Sequence, residues 1–233
     1  GNDDFGKQAI IGYQKDKINT ENILIDPVKP SGVAVIIVDE NSGQNSIVVA
    51  PGSNAILSVA DIQKIEAEIL EVDVLLLQLE IPIETVQAAL EIAKKGGVTT
   101  ILNPAPAQFL SDEILSLVDI ITPNETETQI LIGIDPVDKK EIKAAAAQLL
   151  KKVNRSVIIT LGSEGVFYIS KNTMGEFIST FKVNAVDTTA AGDVFNGFFA
   201  AALADSKSFT EAIKLANAAA AISVTKKGAQ PSA

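Results

Sequence analysis

Residues 72–102 read VDVLLLQLEIPIETVQAALEIAKKGGVTTIL. Val72–Leu79 is a near-continuous apolar run, the pattern of a parallel strand covered on both faces. Glu84–Lys95 then takes helical spacing, and Gly96-Gly97 ends it. Val98–Leu102 returns to a strand. Such alternation builds an α/β layer rather than an all-β or all-α one.

The same rhythm extends outward. Upstream, Ser58 and Asp61 mark a helix start, and Ile62, Ile65, Ile69 and Leu70 give its apolar stripe. Downstream come a short helix at Leu110–Leu117, a strand at Asp119–Thr122, an Ala-rich helix at Lys139–Val153 and a strand at Val157–Leu161. Val166–Ser170 and Phe177–Val183 read as an antiparallel edge, and Asp193–Ala204 and Thr210–Lys226 as helices. The expectation is an α/β fold with a doubly wound, mostly parallel sheet flanked by helices. Val33–Val38 and Ser46–Ala50 read as a hairpin around the turn residues Asp39–Gly43. Its strands are apolar on both faces and need cover on both sides. No internal repeat or low-complexity linker interrupts the chain, so residues 1–233 are expected to form one domain, with residues 30–52 as a small β appendage.

Composition excludes whole classes of chemistry. The 233 residues carry 29 acidic and 19 basic side chains, a net charge of −10, which is wrong for a protein that coats phosphate backbones. Zero histidines remove a Ser-His-Asp triad and histidine-ligated zinc, and zero cysteines remove disulfides and thiolate chemistry. A proton-transfer base in this chain is therefore expected to be Asp or Glu. The absence of tryptophan, with 5% aromatic residues, disfavours base-stacking recognition of nucleic acid. No apolar run reaches the length of a membrane span. Lack of cysteine suits a reducing cytoplasm.

Polar residues gather where the strands end: Glu80 after the first, Asn103 after the second, Asn124 and Glu127 after the third, and Gly162-Ser163-Glu164-Gly165 after the fourth. Open α/β sheets bind ligands outside the carboxyl ends of their strands, although loops of this kind favour polar residues anyway. The strongest segment is Asp187-Thr188-Thr189-Ala190-Ala191-Gly192-Asp193, running into a helix. Its small residues set a tight turn on a helix N-terminus, whose free N–H groups can hold a phosphate oxygen. Asp193 would place a carboxylate beside that anion site, although capping Asp residues are common and the residues alone favour a simple helix cap. There is no G-x-x-x-x-G-K-[ST] phosphate loop and no strand–G-x-G-x-x-G–helix.

Seven segments, in order, resemble the carbohydrate kinases of the ribokinase-like (PfkB) family. They are Gly1–Gly6, Gln78-Leu79-Glu80, Asn103–Ala107, Thr122–Glu127, Thr160–Gly165, Asp187–Asp193 and Lys227–Ser232. Within the family the likeness is greatest to members that phosphorylate ribose. The resemblance implies ATP-dependent phosphorylation of the 5-hydroxyl of D-ribose to D-ribose 5-phosphate. Other sugar or nucleoside kinases of the family (fructokinase, a ketodeoxygluconate-type kinase, a nucleoside kinase) and a non-catalytic nucleotide- or sugar-binding fragment are the alternatives.

By that likeness Asp193 is the base, and Ala190, Ala191 and Gly192 form the anion hole for the transferring phosphoryl group. Asn124 and Glu127 match an N-x-x-E motif that organises Mg²⁺, its waters and phosphate. Thr160, Gly162, Ser163, Gly165 and Gly192 match nucleotide-binding positions, and Asn217 a helix position near the adenine. Glu80 matches a sugar-hydroxyl acceptor. Asp187, Thr189, Ser223, Lys226, Gly228 and Ser232 match a loop holding a monovalent cation, usually K⁺, with Lys226 and Gly228 contributing backbone carbonyls. The hairpin resembles the family's lid, with Ala34 and Ile36 toward the sugar, and lids of this type pair between two subunits in a homodimer. The family also carries a sugar-binding segment before the position of Gly1 and a stretch beyond Ser232, so the 233 residues are expected to be incomplete at both ends.

Overall fold

In the computed structural model, which describes residues 1–38 and 45–232, the chain divides into two units: Gly1–Ile65 with Glu80–Val86, and Glu66–Leu79 with Gln87–Ala233. The first unit opens with α1 (Asp4–Lys15), a helix that the sequence reading did not assign. Asp3 caps it by accepting from the Gly6 N–H at 2.8 Å. The same carboxylate accepts from the Ser31 N–H and hydroxyl at 2.6 and 2.7 Å, so one side chain starts the helix and pins the following loop. The N–H groups of Gly6 and Ser31 and the Ser31 hydroxyl lower the Asp3 carboxyl to about 2.

The expected hairpin forms from β1 (Val33–Val38) and β2 (Asn45–Ala50), antiparallel, with Val33 opposite Ala50 and Val38 opposite Asn45. Its turn at Asp39–Gly43 lies outside the described residues. Next comes α2 (Val59–Lys64), started at Ser58 by a reciprocal capping box with Asp61.

The second unit begins with α3 (Glu66–Glu71). The expected single helix is thus two short ones, because Ile65 leaves helical geometry at φ −108°, ψ 21°. There follow β3 (Val74–Leu77), α4 (Ile83–Gly96, in this unit from Gln87 on), β4 (Thr99–Leu102), α5 (Asp112–Leu115) and β5 (Ile120–Ile121). The chain continues through α6 (Glu125–Ile132), α7 (Lys139–Leu150), β6 (Ser156–Thr160), β7 (Val166–Ser170), β8 (Thr173–Ile178), α8 (Ala191–Ala204) and α9 (Phe209–Ser223).

β3 to β8 form one six-stranded sheet in sequence order. β3 through β6 run parallel, and β7 and β8 run antiparallel. Alternating residues bury opposite faces. Ile101, Ile120 and Ile158 pack with Phe195 and Phe199 of α8 and Ile213 and Ala216 of α9. On the other face Leu102, Ile121, Val157 and Ile159 are fully buried, and α7 packs on β6 and β7 through Ala145, Ala146 and Leu149. Each large apolar side chain buried in this way contributes roughly 1.5–3 kcal/mol. The expected mostly parallel sheet between helical layers, with a separate hairpin, is therefore the architecture of the chain.

The last strand and the stretch after Asn124 differ most from expectation. The last strand is Thr173–Ile178 rather than Phe177–Val183, because the chain turns at once after β7 and pairs Ser170 with Thr173 and Phe167 with Phe177. The rings of Phe167 and Phe177 then sit 4.7 Å apart. The segment Glu125–Ile132, unassigned in the sequence reading, is a helix that ends at Gly133 with φ 72°.

Candidate active site

Because β3, β4 and β5 are parallel and in register, the residues that follow them stand in a row. Gln78 follows β3, Asn103 follows β4 and Thr122 follows β5. The backbone continues the pairing, with Asn103 N–H donating to the Leu77 carbonyl at 2.9 Å and Thr122 N–H to the Leu102 carbonyl at 3.0 Å. This is the carboxyl edge where α/β sheets bind ligands.

Asp193 comes to the same row from the start of α8. It is not the cap of that helix: the cap position is Ala190, which makes no side-chain cap bond. The Asp193 Oδ1 instead accepts from Gln78 Nε2 at 2.7 Å, across 115 residues of sequence. Gln78 Nε2 also donates to Asn103 Oδ1 at 3.2 Å, and Asn103 Nδ2 donates to the Thr122 carbonyl at 3.1 Å. The sequence reading quoted Gln78 only as part of a matching segment and gave it no role.

Ala190 adopts φ 62°, ψ 10°, a left-handed conformation that costs an L-residue roughly 1–2 kcal/mol. Strain of this size persists where the surroundings impose it, as at ligand clamps. The Ala191 N–H is held by the Thr188 carbonyl at 3.2 Å. The next N–H groups of a helix start have no intrahelical acceptor, which leaves those of Gly192 and Asp193 to a ligand. A Cβ at Gly192 would meet no atom within 4 Å, so the approach to those groups is open.

Asn124 and Glu127 cap α6 reciprocally. Asn124 Oδ1 accepts from the Glu127 N–H at 2.8 Å, while the Glu127 carboxylate accepts from the Asn124 N–H at 2.8 Å and from Asn124 Nδ2 at 3.0 Å. Burial pushes the Glu127 carboxyl above its ordinary value, and the charges of Asp193 and Glu125 push the same way, against the Asn124 N–H. A buried carboxylate that also feels the charges of Asp193 and Glu125 suits a divalent cation, which would relieve both the burial and the repulsion. Among the described residues no three acidic side chains converge. That donor set suits Mg²⁺, which keeps most of its waters.

Thr160 and Asn124 are joined by a parallel bridge, so the fourth strand end lies beside the α6 cap. Gly162–Glu164, including Ser163, forms a 3₁₀ turn. It closes at Gly165, whose φ of 96° and close approach to the Ile178 carbonyl oxygen require glycine. Asn217 is buried in α9, and its Nδ2 has no hydrogen-bond partner among the described residues.

Asp187 ties two loops together. Its carboxylate accepts from the Thr189 N–H and from the Gly228 N–H, both at 2.9 Å, while the N–H groups of Val186 and Asp187 converge on the Val224 carbonyl. The Thr189 side chain, then the Gly228 and Thr189 N–H groups, lower the Asp187 carboxyl to about 2. Ser223 turns its hydroxyl back to the Ala220 carbonyl. Lys226 Nζ reaches the Ser232 carbonyl at 3.4 Å, so its ammonium as well as its backbone belongs to this loop. Ser232 is buried and donates its hydroxyl to the Ala229 carbonyl.

In the first unit, Ala34 pairs with Val49 and Ile36 with Ile47 across the hairpin. Ala34 is exposed, and the side chain of Ile36 lies outside the described ones. Glu80, also in that unit, is exposed.

Comparison with known proteins identifies the family. The model for the pfkB family carbohydrate kinases matches residues 1–233. The chain is 50% identical to the ribokinase of Haemophilus influenzae over 232 residues, covering 100% of this chain and 75% of that protein. The crystal structure of ribokinase from Thermotoga maritima superposes with a TM-score of 0.86 at 43% identity, over 100% of this chain and 75% of that one. Ribokinase from Arabidopsis thaliana complexed with ribose and ATP gives a TM-score of 0.85 at 32% identity, over 100% of this chain and 76% of that one. With a whole-chain family match and half its residues identical to a full-chain relative, this protein belongs to the pfkB family of carbohydrate kinases.

Proposed function

We propose that this protein transfers a phosphoryl group from ATP to the 5-hydroxyl of D-ribose, giving D-ribose 5-phosphate and ADP. The carrying observation is an Asp193 carboxylate that does not cap its own helix and stands beside the uncapped N–H groups of Gly192 and Asp193. The likeness to ribokinases favours ribose over the other sugars and nucleosides that the family takes.

In this reading Asp193 accepts the proton of the sugar hydroxyl as its oxygen attacks phosphorus. The backbone N–H groups around Ala190, Ala191 and Gly192 stabilise the charge on the transferring group. Phosphoryl transfer asks little covalent chemistry of the protein beyond such positioning and charge stabilisation. Thr160, Gly162, Ser163 and Gly165 line the nucleotide, with Gly192 at its phosphates and Asn217 donating from near the adenine. The family likeness assigns Glu80, Ala34 and Ile36 to the sugar; a carboxylate can accept two hydroxyl donors, which suits a vicinal diol.

Glu127 would hold Mg²⁺ through water, with Asn124 orienting phosphate. When bound, Mg²⁺ supplies charge neutralisation at the β- and γ-phosphate oxygens. Asp187, Thr189, Ser223, Lys226, Gly228 and Ser232 would cradle K⁺ beside the anion hole, which supports the same charge stabilisation. Residues 30–52 serve as the lid of a single ribokinase-like domain, and the exposed Val33, Val35, Val48 and Val49 suit pairing with a second copy in a homodimer. Among the described residues no helix is long and apolar enough to cross a membrane, and a cysteine-free ATP-dependent enzyme suits the cytoplasm.

The test is turnover of D-ribose, D-fructose, 2-keto-3-deoxygluconate and adenosine with Mg·ATP, first in K⁺ and then in Na⁺. The expected result is the highest kcat/KM for D-ribose. Faster turnover of fructose or adenosine would overturn the ribose assignment. The rate is expected to drop when Na⁺ replaces K⁺, and an unchanged rate would remove the cation-loop assignment.

A further inference from the structure

We propose that Gln78 is a positioning residue for the base Asp193, held in a fixed orientation by Asn103 and the Thr122 carbonyl. The inference rests on the reading of Asp193 as the base. It follows from the order of donors and acceptors. A backbone carbonyl can only accept, so Asn103 must present its NH₂ group to the Thr122 oxygen, at 3.1 Å. That leaves the Asn103 Oδ1, an acceptor, facing Gln78. Gln78 must then present its own NH₂ group, at 3.2 Å, and its second N–H points at Asp193 Oδ1, at 2.7 Å. Neither amide can flip without setting acceptor against acceptor or donor against donor.

The relay is anchored in the sheet. Asn103 is only 7% exposed, and it and Gln78 sit on adjacent paired strand ends. Asp193 is exposed, and among the described residues Gln78 is the one hydrogen-bond partner of its side chain. One carboxylate oxygen is thereby fixed against an N–H that cannot reverse, and the other is left for the sugar hydroxyl. Gln78 thus acts through the base and has no part in holding the nucleotide.

The experiment measures kcat for D-ribose and KM for ATP in the whole enzyme, for Gln78→Met in the wild-type background and in the Asp193→Asn background. Methionine keeps the length and removes both donors. In the wild-type background kcat is expected to fall roughly 10- to 100-fold, the range for a hydrogen bond to an ionised group, with KM for ATP within about twofold. In the Asp193→Asn background Gln78→Met is expected to cost nothing further. Unchanged kcat in the wild-type background would overturn the proposal, and so would an equal loss in both backgrounds, which would make Gln78 a mere strand brace. Should Gln78→Met not fold, Asn103→Ala is read in the same two backgrounds, with a smaller loss expected in the first and none in the second. An Asp193→Asn enzyme with near-normal turnover would remove the base assignment and this inference together. A silent Gln78→Met beside a disabled Asp193→Asn would remove the inference alone.

Discussion

Asp193→Asn is expected to lower kcat by roughly 10²–10⁴, the usual worth of a general base, while ATP binding is nearly unchanged. The substitution keeps size and shape and leaves an oxygen to accept from Gln78, but an amide cannot take up the hydroxyl proton. Folding should lose no more than the roughly 0.3–1 kcal/mol of a first-turn carboxylate, because Asp193 supplies no cap to α8. Steady-state kinetics with D-ribose and calorimetric titration with ATP separate the two effects. Turnover near the wild-type rate would take the base role away from Asp193. Lost ATP binding would mean that the carboxylate serves the nucleotide instead.

Gly192→Asp is expected to abolish most turnover without harming the fold. The space beyond a Cβ at this position is open, so the new side chain fits. An acidic residue in the first turn of a helix is favourable by about 0.3–1 kcal/mol, and replacing a helical glycine adds a few tenths more. The thermal midpoint should therefore hold or rise. The new carboxylate, however, takes the N–H groups that the transferring phosphoryl group would use. Losing one such donor typically costs roughly 10²–10³ in rate. A variant that melts like the wild type and turns over like it would show that the anion site lies elsewhere.

Much of the fold was legible because burial on both faces leaves little freedom in the sequence. Val157–Leu161 reads as a strand from its β-branched run, and β6 (Ser156–Thr160) differs by one residue at each end. The helix over Lys139–Val153 was equally plain, since Asp138 caps it and Ile142, Ala145, Ala146 and Leu149 line one buried face. What was missed lay under other signals. Asn124 and Glu127 were read for their chemistry, yet the same two side chains start α6. Asp3 caps α1, but that helix buries no residue fully, so its pattern carried no core signature. The last strand slipped because its register is set by the turn after Ser170 and by Phe177 reaching Phe167, not by its own weakly β-forming residues.

The candidate site shows the same division. The open helix start was legible in Ala190-Ala191-Gly192, where small residues precede a helical pattern. The sequence also posed the question of Asp193 as cap or base, and the left-handed Ala190 at the cap position, which makes no side-chain cap bond, settles the first half. The contact of Gln78 with Asp193 was not legible. It joins residues 115 apart and depends on three strand ends standing in register, a property of the sheet rather than of any local pattern.

The most direct test is a structure of the Asp193→Asn enzyme with ATP, Mg²⁺ and D-ribose. The γ-phosphoryl oxygens are predicted to lie within hydrogen-bond reach, about 3 Å, of the Gly192 and residue 193 backbone nitrogens, with the ribose 5-hydroxyl against the residue 193 side chain. A γ-phosphate seated away from the α8 N-terminus, or a sugar hydroxyl out of reach of residue 193, would contradict the account.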